Sequence, residues 1–453
     1  MRAQQSEFYK KLFSLVLPIA FQQFMLALVG ASDAAMLGLL DQNLLSAASL
    51  AGQVTFVYNL FLAAMTIGTS IFAAQYYGKG DYFSVEKILA IVLRITGVVS
   101  AGFFGVSMLV PRALMCIFTS DPVLIQAGIP YLRIVGITFL ACSVSQIYLC
   151  IMKNSGRAVK SVIISSVTVV LNIVLNAVFI FGVGSLPQMG ITGAALATAI
   201  ARIAELIWTL RENGRKDSIK IRMVNLAHID RSMQKDFWKY TLPVLGNELV
   251  WGCGFAMYSV IMGHLGTDAV AANSIANIIR NLLACFCLGL GSGAGIIVGN
   301  ELGAGNLERA REYGRKSCIV AIASGAFTGL VLLTVTPLIL RMVNVSVQAD
   351  IYLKGMLMMC SYYLTAQSVN NTTIAGIFCA GGDSRFGLAC DTVTFWLVTV
   401  PLSLLAAFVL HLPVLVVYLI MTLDEIVKLP AVYLHYKKYR WVKNLTEKRE
   451  CLK

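Results

Sequence analysis

Residues 17–38 read LPIAFQQFMLALVGASDAAMLG, and residues 242–263 read LPVLGNELVWGCGFAMYSVIMG. Each segment is mostly apolar and long enough to cross a hydrocarbon layer as a helix, which takes roughly 20 residues. Sliding the chain by 225 positions lays Leu17-Pro18 on Leu242-Pro243 and Gly38 on Gly263. The match runs on without a gap: Ala47 meets Ala272, Ser49 meets Ser274, Gly68 meets Gly293, Gly78 meets Gly303 and Gly80 meets Gly305. The chain therefore reads as two copies of one membrane unit. The copies are unequal, because the first carries a carboxylate in its apolar run, Asp33, where the second carries Tyr258.

The rest of the chain has the same character. Of 453 residues, 58% are hydrophobic and 13% charged, with a mean hydropathy of +0.76. Soluble domains carry about 25% charged residues, so this is a polytopic membrane protein. Its eleven cysteines mostly lie inside apolar runs (Cys142, Cys150, Cys253, Cys285, Cys390) and read as small buried hydrophobes. Cys285 and Cys287 are too close for a zinc half-site, and His228, His264, His411 and His435 are scattered. No metal centre or cofactor is expected. The first apolar run begins near Leu12 and is too long for the core of a cleavable signal peptide.

Apolar runs fall at 12–38, 46–75, 88–110, 123–150, 159–182 and 190–210, then at 239–265, 269–300, 317–340, 352–378, 386–410 and 413–436. Numbered in order, they give spans 1–6 and 7–12. The organisation expected is an N-lobe (1–210), a basic linker (211–238), a C-lobe (239–436) and a tail (437–453). The formal charge of +13 need not mean a nucleic-acid partner, since Lys and Arg collect in cytoplasmic loops. Lys10 and Lys11 precede span 1; Lys79 and Lys87 follow span 2; Lys153, Arg157 and Lys160 follow span 4; Arg309, Arg311, Arg315 and Lys316 follow span 8; Arg385 follows span 10. In the alternate loops only Arg112, Arg341 and Lys354 depart from the pattern. Both termini are expected in the cytoplasm, on a monomer in the cytoplasmic membrane. Six spans plus six in parallel repeat, around a midplane cavity, is a transporter plan.

Charges inside a bilayer are costly and mark functional sites by default. Asp33 is suited either to exchanging a proton or to ligating Na⁺ with other oxygens; the structural alternative is a hydrogen bond to a neighbouring helix. Asn172 and Asn176 lie four apart and share a helix face. Thr198, in span 6, is a further candidate. The second half offers Glu248, Asp391 and Arg280; if Arg280 pairs with either acid, that acid stays ionised. Trp251, Met257, Tyr258 and Trp396 are candidates for contact with an organic cation. Arg202 with Glu205, and Glu425 with Lys428, are spaced for intrahelical pairing. Arg94 and Arg133 sit near span ends, where they can snorkel.

The stretch from LPIAFQQFMLALVGASDAAMLG through GTSIFAAQYYGKGD resembles the start of a MATE (multidrug and toxic compound extrusion) transporter, and LPVLGNELVWGCGFAMYSVIMGHLG through GAGIIVGNELGAGN resembles the start of its second half. IMKNSGRAVKSVIIS and IFCAGGDSRFGLACD are similar to the family's paired loops after spans 4 and 10. The resemblance implies two six-helix lobes in a V, and export of cationic, amphipathic compounds in exchange for H⁺ or Na⁺. It implies a cation cluster of Asp33, Asn172, Asn176 and Thr198, the Thr198 match depending on an insertion around GSLPQM. It places second-lobe acids on Glu248 and Asp391. Many family members carry an aspartate where Asn176 stands. A Na⁺ site at Asp33, Asn172 and Asn176 thereby loses a charge, which leaves both ions open and tilts the balance towards a proton. The alternative within the superfamily is a flippase for lipid-linked oligosaccharides, which needs a more cationic cavity. A major-facilitator carrier does not fit, because GKGDYFSVEK lacks the expected pattern after span 2. No His/Asp or Ser/His set supports an enzyme.

Overall fold

Hydrocarbon offers the backbone no hydrogen bonds, so a spanning segment must satisfy its own amides, and the helix does so. The computed structural model, which describes residues 2–40, 42–182, 187–214, 230–343 and 345–447, is helical throughout, with no strand among the described residues. Spans 1–6 are Arg2–Gly38, Gln42–Lys79, Tyr82–Leu109, Pro122–Asn154, Ala158–Phe181 and Gly190–Asn213. Spans 7–9 are Arg231–His264, Thr267–Gly303 and Leu307–Met342. Span 10 is Val347–Asn370 and runs on through π-helical turns at Asn371–Phe378. Span 11 begins at Ser384–Asp391 and continues through Thr392–Thr399, Val400–Leu404 and Leu405–Val409, and span 12 is Val414–Met421 followed by Asp424–Lys437. The chain is thus an all-α integral membrane protein of twelve spans in two lobes. Ten of these helices are long and apolar enough to cross a membrane. Spans 10 and 12 are the two outside that count; π-helical turns follow the first and continue within span 11, and the second breaks at Thr422-Leu423.

Side chains that face outward are apolar, as a lipid-facing wall requires: Val98, Phe327 and Leu397 are 69%, 67% and 70% exposed. Polar side chains turn inward and find partners. Fully buried Tyr58 on span 2 bonds the carbonyl of Phe139 on span 4 at 2.8 Å and the Ser100 hydroxyl on span 3 at 2.9 Å. Short connections are closed by caps: Asp81 accepts from the Ser84 amide, Asp121 from Val123 and Ser346 from Ala349.

Contacts group the chain into two compact units. One comprises Met25–Thr69 and Asp81–Asp236; the other comprises Met1–Phe24, Ser70–Gly80 and Phe237–Lys453. In the second unit Phe8, Leu12 and Val16 of span 1 share a core with Leu290, Ile297, Phe378 and Trp441.

The 225-residue repeat is visible in the backbone. Gly80 and Gly305 end the turns after spans 2 and 8 with φ of 81° and 80°, a left-handed conformation that glycine adopts freely. Just before them, the ends of spans 2 and 8 cross in direct backbone contact. A Cβ on Gly78 would lie 2.0 Å from the Asn300 carbonyl oxygen, and one on Gly303 would lie 1.8 Å from that of Gln75. These are the same contact made twice, with repeat partners exchanged, as in a two-fold interface. Gly303→Ala is expected to cost at least about 1–3 kcal/mol, because the clash is with backbone and cannot be relieved by a rotamer. Gly97→Ala, where nothing lies within 4 Å, is expected to be neutral or slightly stabilising. Thermal unfolding in detergent checks the pair.

Candidate functional site

Four residues singled out in the sequence meet in the first-half unit. The Asn176 Nδ2 group on span 5 donates to Asp33 Oδ1 on span 1 at 2.5 Å and to Asn172 Oδ1 one turn away at 3.2 Å. Asn172 Nδ2 donates to Thr198 Oγ1 on span 6 at 3.3 Å, and that hydroxyl donates to the Ala194 carbonyl at 3.0 Å. Asp33, Asn176, Asn172 and Thr198 thus form one chain of hydrogen bonds across spans 1, 5 and 6. The four-residue spacing of the asparagines is what lets one amide serve both its helix neighbour and the acid. Asn176 is fully buried, and among the described residues its Oδ1 has no hydrogen-bond partner. Among the described residues no cation lies within ion-pair distance of Asp33. Part of the GSLPQM insertion, residues 183–186, lies outside the described residues.

Charged side chains elsewhere in this unit pair with one another. Arg202 pairs with Glu205 at 2.7 Å, the intrahelical pairing expected from the spacing, and Gln146 donates to the same glutamate at 2.7 Å. Near the C-terminal end of span 6, Glu212 holds Arg157 and Lys160 at 2.7 and 2.8 Å.

The second-half unit has a different constellation. Lys428, 3% exposed, sits 2.8 Å from Asp391 and 3.2 Å from Glu425. Asn370 Nδ2 donates to both the backbone oxygen and Oε2 of Glu425 at 2.7 Å. Span 10 therefore anchors the span 12 glutamate as Gln146 of span 4 anchors Glu205 of span 6. The pairing of Arg280 with Asp391 entertained from the sequence is not what forms: the acid's partner is Lys428. An ammonium has three donors and serves Glu425 on its own helix and Asp391 on span 11 together. Glu248, on span 7, lies near Asp391. No ion pair to Arg280 is found among the described residues; its guanidinium packs over the rings of Phe255 at 5.0 Å and Tyr363 at 5.2 Å. Trp251 stacks on the same Phe255, with centroids 5.6 Å apart. The Tyr258 hydroxyl bonds Thr399 at 2.6 Å.

One residue escaped the sequence reading. Asp424 is 1% exposed, and among the described residues no side chain hydrogen-bonds its carboxylate. It lines a chamber of about 20 Å³ with Phe255, Tyr258, Arg280, Tyr363 and Tyr418, room for roughly one water-sized occupant. The signal lay beside the pair that was read, in the acidic doublet Asp424-Glu425. Among the described residues no three His, Cys, Asp or Glu side chains converge as metal ligands.

Duplicated membrane-spanning lobes with buried acids joined to amides and a lysine fit a membrane transporter. The family model MatE matches residues 18–178 and again 243–436, and the chain belongs to this MATE transporter family. The two matches begin 225 residues apart, the offset of the internal repeat. Among relatives, a probable multidrug resistance protein NorM of Thermotoga maritima is 22% identical over 454 residues, covering 99% of this chain and 96% of the relative. The uncharacterized transporter YisQ of Bacillus subtilis is 22% identical, covering 95% and 94%. A mutant of the Vibrio cholerae MATE transporter VcmN has the same fold, with a TM-score of 0.87 at 19% identity, covering 97% of this chain and 98% of that one.

Removing one partner of a buried ion pair strands the other, at a cost of about 3–5 kcal/mol. Lys428→Ala leaves two acids stranded and is expected to lower the melting temperature sharply. Combining Lys428→Met with Asp391→Asn and Glu425→Gln is expected to recover most of the loss, as thermal unfolding will show.

Proposed function

We propose that the protein is a secondary active antiporter that exports cationic or amphipathic organic compounds in exchange for a coupling cation, H⁺ in preference to Na⁺. The observation that carries this reading is the Asp33–Asn176–Asn172–Thr198 chain. Its single acid is met by an amide N–H, not by a second carboxylate. Na⁺ requires several oxygens, so at this site Asn176 would have to turn its N–H away from Asp33. A proton requires only Asp33. When the acid is neutralised, a charge-assisted hydrogen bond, roughly twice as strong as a neutral one, is lost. Spans 1, 5 and 6 then rearrange while the Asn176 oxygen, which has no partner among the described residues, becomes available to accept from the acid. The probable multidrug resistance proteins among the relatives support an organic substrate. The aromatic rings of Trp251 and Tyr258 offer surface of the kind on which a flat cation stacks.

In the second half, Glu248, Asp391, Asp424 and Glu425 outnumber Lys428 and Arg280. That balance favours cations over the pyrophosphate of a lipid-linked oligosaccharide. The basic loops favour cytoplasmic termini, and one chain supplies both lobes, which supports a monomer in the cytoplasmic membrane as the working unit.

The test is efflux of ethidium from proteoliposomes under a pH gradient alone or a Na⁺ gradient alone. Efflux is expected under the pH gradient and is expected to vanish in Asp33→Asn. Asn176→Asp, which adds a second carboxylate, is expected to add Na⁺-driven efflux. Unchanged coupled transport in Asp33→Asn overturns the assignment of the site, and efflux driven by Na⁺ only overturns the preference for a proton.

A further inference from the structure

The crossing of spans 2 and 8 is symmetric in its backbone. Gly78 faces Asn300, Gly303 faces Gln75, and the repeat-related Ala74 and Gly299 meet each other, a Cβ on Gly299 falling 2.8 Å from that of Ala74. One side chain breaks the symmetry. Gln75, the counterpart of Asn300, is fully buried and makes three hydrogen bonds. Its Nε2 donates to the Ala380 carbonyl at 2.7 Å and to the Lys443 carbonyl at 3.2 Å, and its Oε1 accepts from the Leu445 amide at 2.7 Å. Two of these partners belong to the segment beyond span 12, read in the sequence only as a basic tail.

That segment is built to arrive there. Tyr439 takes a left-handed φ of 49°, a conformation that is strained for a bulky residue, and turns the chain back after span 12. Trp441 follows, fully buried and stacked on Tyr436 with centroids 5.5 Å apart. It seats against two glycines: a Cβ on Gly381 would lie 1.6 Å from the Trp441 carbonyl oxygen, and one on Gly314 would lie 2.8 Å from its ring. Asn444 Oδ1 then accepts from the Thr446 amide at 2.9 Å and its hydroxyl at 2.6 Å, which closes the turn that presents Leu445 to Gln75. A solvated basic tail needs none of this.

We propose that residues 438–447 are a latch on the crossing of spans 2 and 8, holding it closed through Gln75, and that this latch releases in each transport cycle. The tail is covalently part of the second half, whereas Gln75 belongs by sequence to the first half of the repeat, although both pack in one compact unit. Transporters built from repeats work by moving one repeat against the other, so separation at this end requires the three bonds to Gln75 to break. Such bonds suit a reversible catch. Each contributes only about 0.5–1.5 kcal/mol net, because water replaces it on opening, while Trp441 keeps the segment in place. The requirement for release rests on the transport reading; the holding of the crossing does not.

Hydrogen exchange of the full-length protein in lipid nanodiscs separates the two claims. In Gln75→Ala, residues 442–447, 70–78 and 296–303 are expected to exchange about tenfold faster or more than in wild type, as a local opening without its closing bonds would. Spans 4 and 5 are expected to keep wild-type rates and serve as the internal standard of folding. A chain stopped after Arg440, which keeps Gln75 but lacks its tail partners, is expected to behave in the same way at 70–78 and 296–303. Wild-type rates at 70–78 and 296–303 in that truncated chain overturn the latch. For release, Gln75→Cys with Leu445→Cys, oxidised to a disulfide in ethidium-loaded proteoliposomes, is expected to stop efflux until reductant is added. Efflux at the wild-type rate through the cross-linked protein overturns release. Absence of ethidium efflux in the wild type itself counts against the proposed function and leaves the exchange result to judge the latch.

Discussion

Hydrocarbon supplies no hydrogen-bond partners, and that lack governs this structure more than any other condition. It forces the described chain into helices, turns Val98, Phe327 and Leu397 outward, and obliges every polar group within a span to find its partner inside the protein. The two halves meet that obligation differently. In the first, an acid leans on neutral amides and a hydroxyl; in the second, acids gather around one lysine and a guanidinium sits between aromatic rings. Among the described residues a number of side-chain atoms are left over, and the Asn176 oxygen, beside Asp33, is one of them. Buried polar atoms without partners are where a membrane protein can respond to a proton or a small ion, because little else competes for them.

Duplication gives the molecule its second organising feature. Gly78 and Gly303 exist so that two equivalent helix ends can touch backbone to backbone, and Gly80 and Gly305 carry the same left-handed turn. Symmetry is then broken where it serves a purpose. The repeat puts Tyr258, whose hydroxyl bonds Thr399, at the position equivalent to Asp33, and Gln75 takes up the tail while its counterpart Asn300 lies against Gly78.

Much of this was legible in the residues. Periodic apolar runs located the spans, because length and hydropathy are local properties and the bilayer reads them locally. Asn172 and Asn176 could be placed on one face because helix geometry is regular. Lys428 was read as a partner of Glu425 for the same reason, and its bond to Asp391 was missed because nothing local links positions 391 and 428. Asp424 stands beside a more conspicuous neighbour, Glu425, whose spacing to Lys428 carries the local signal. The docking of the tail is not legible in the sequence, since the glycines that receive Trp441, at 314 and 381, lie far from it in the chain.

By itself, then, the sequence determined the membrane class, the twelve spans, the parallel repeat and the identity of the lone acid in span 1. Each follows from composition, periodicity or spacing within a few helical turns. The tertiary structure alone decided which groups meet: Asn176 with Asp33, Lys428 with Asp391, Gln75 with Leu445. Those pairings are set by how helices pack. A change of one helix face redirects a side chain by about 100°, and no local pattern in the chain records it.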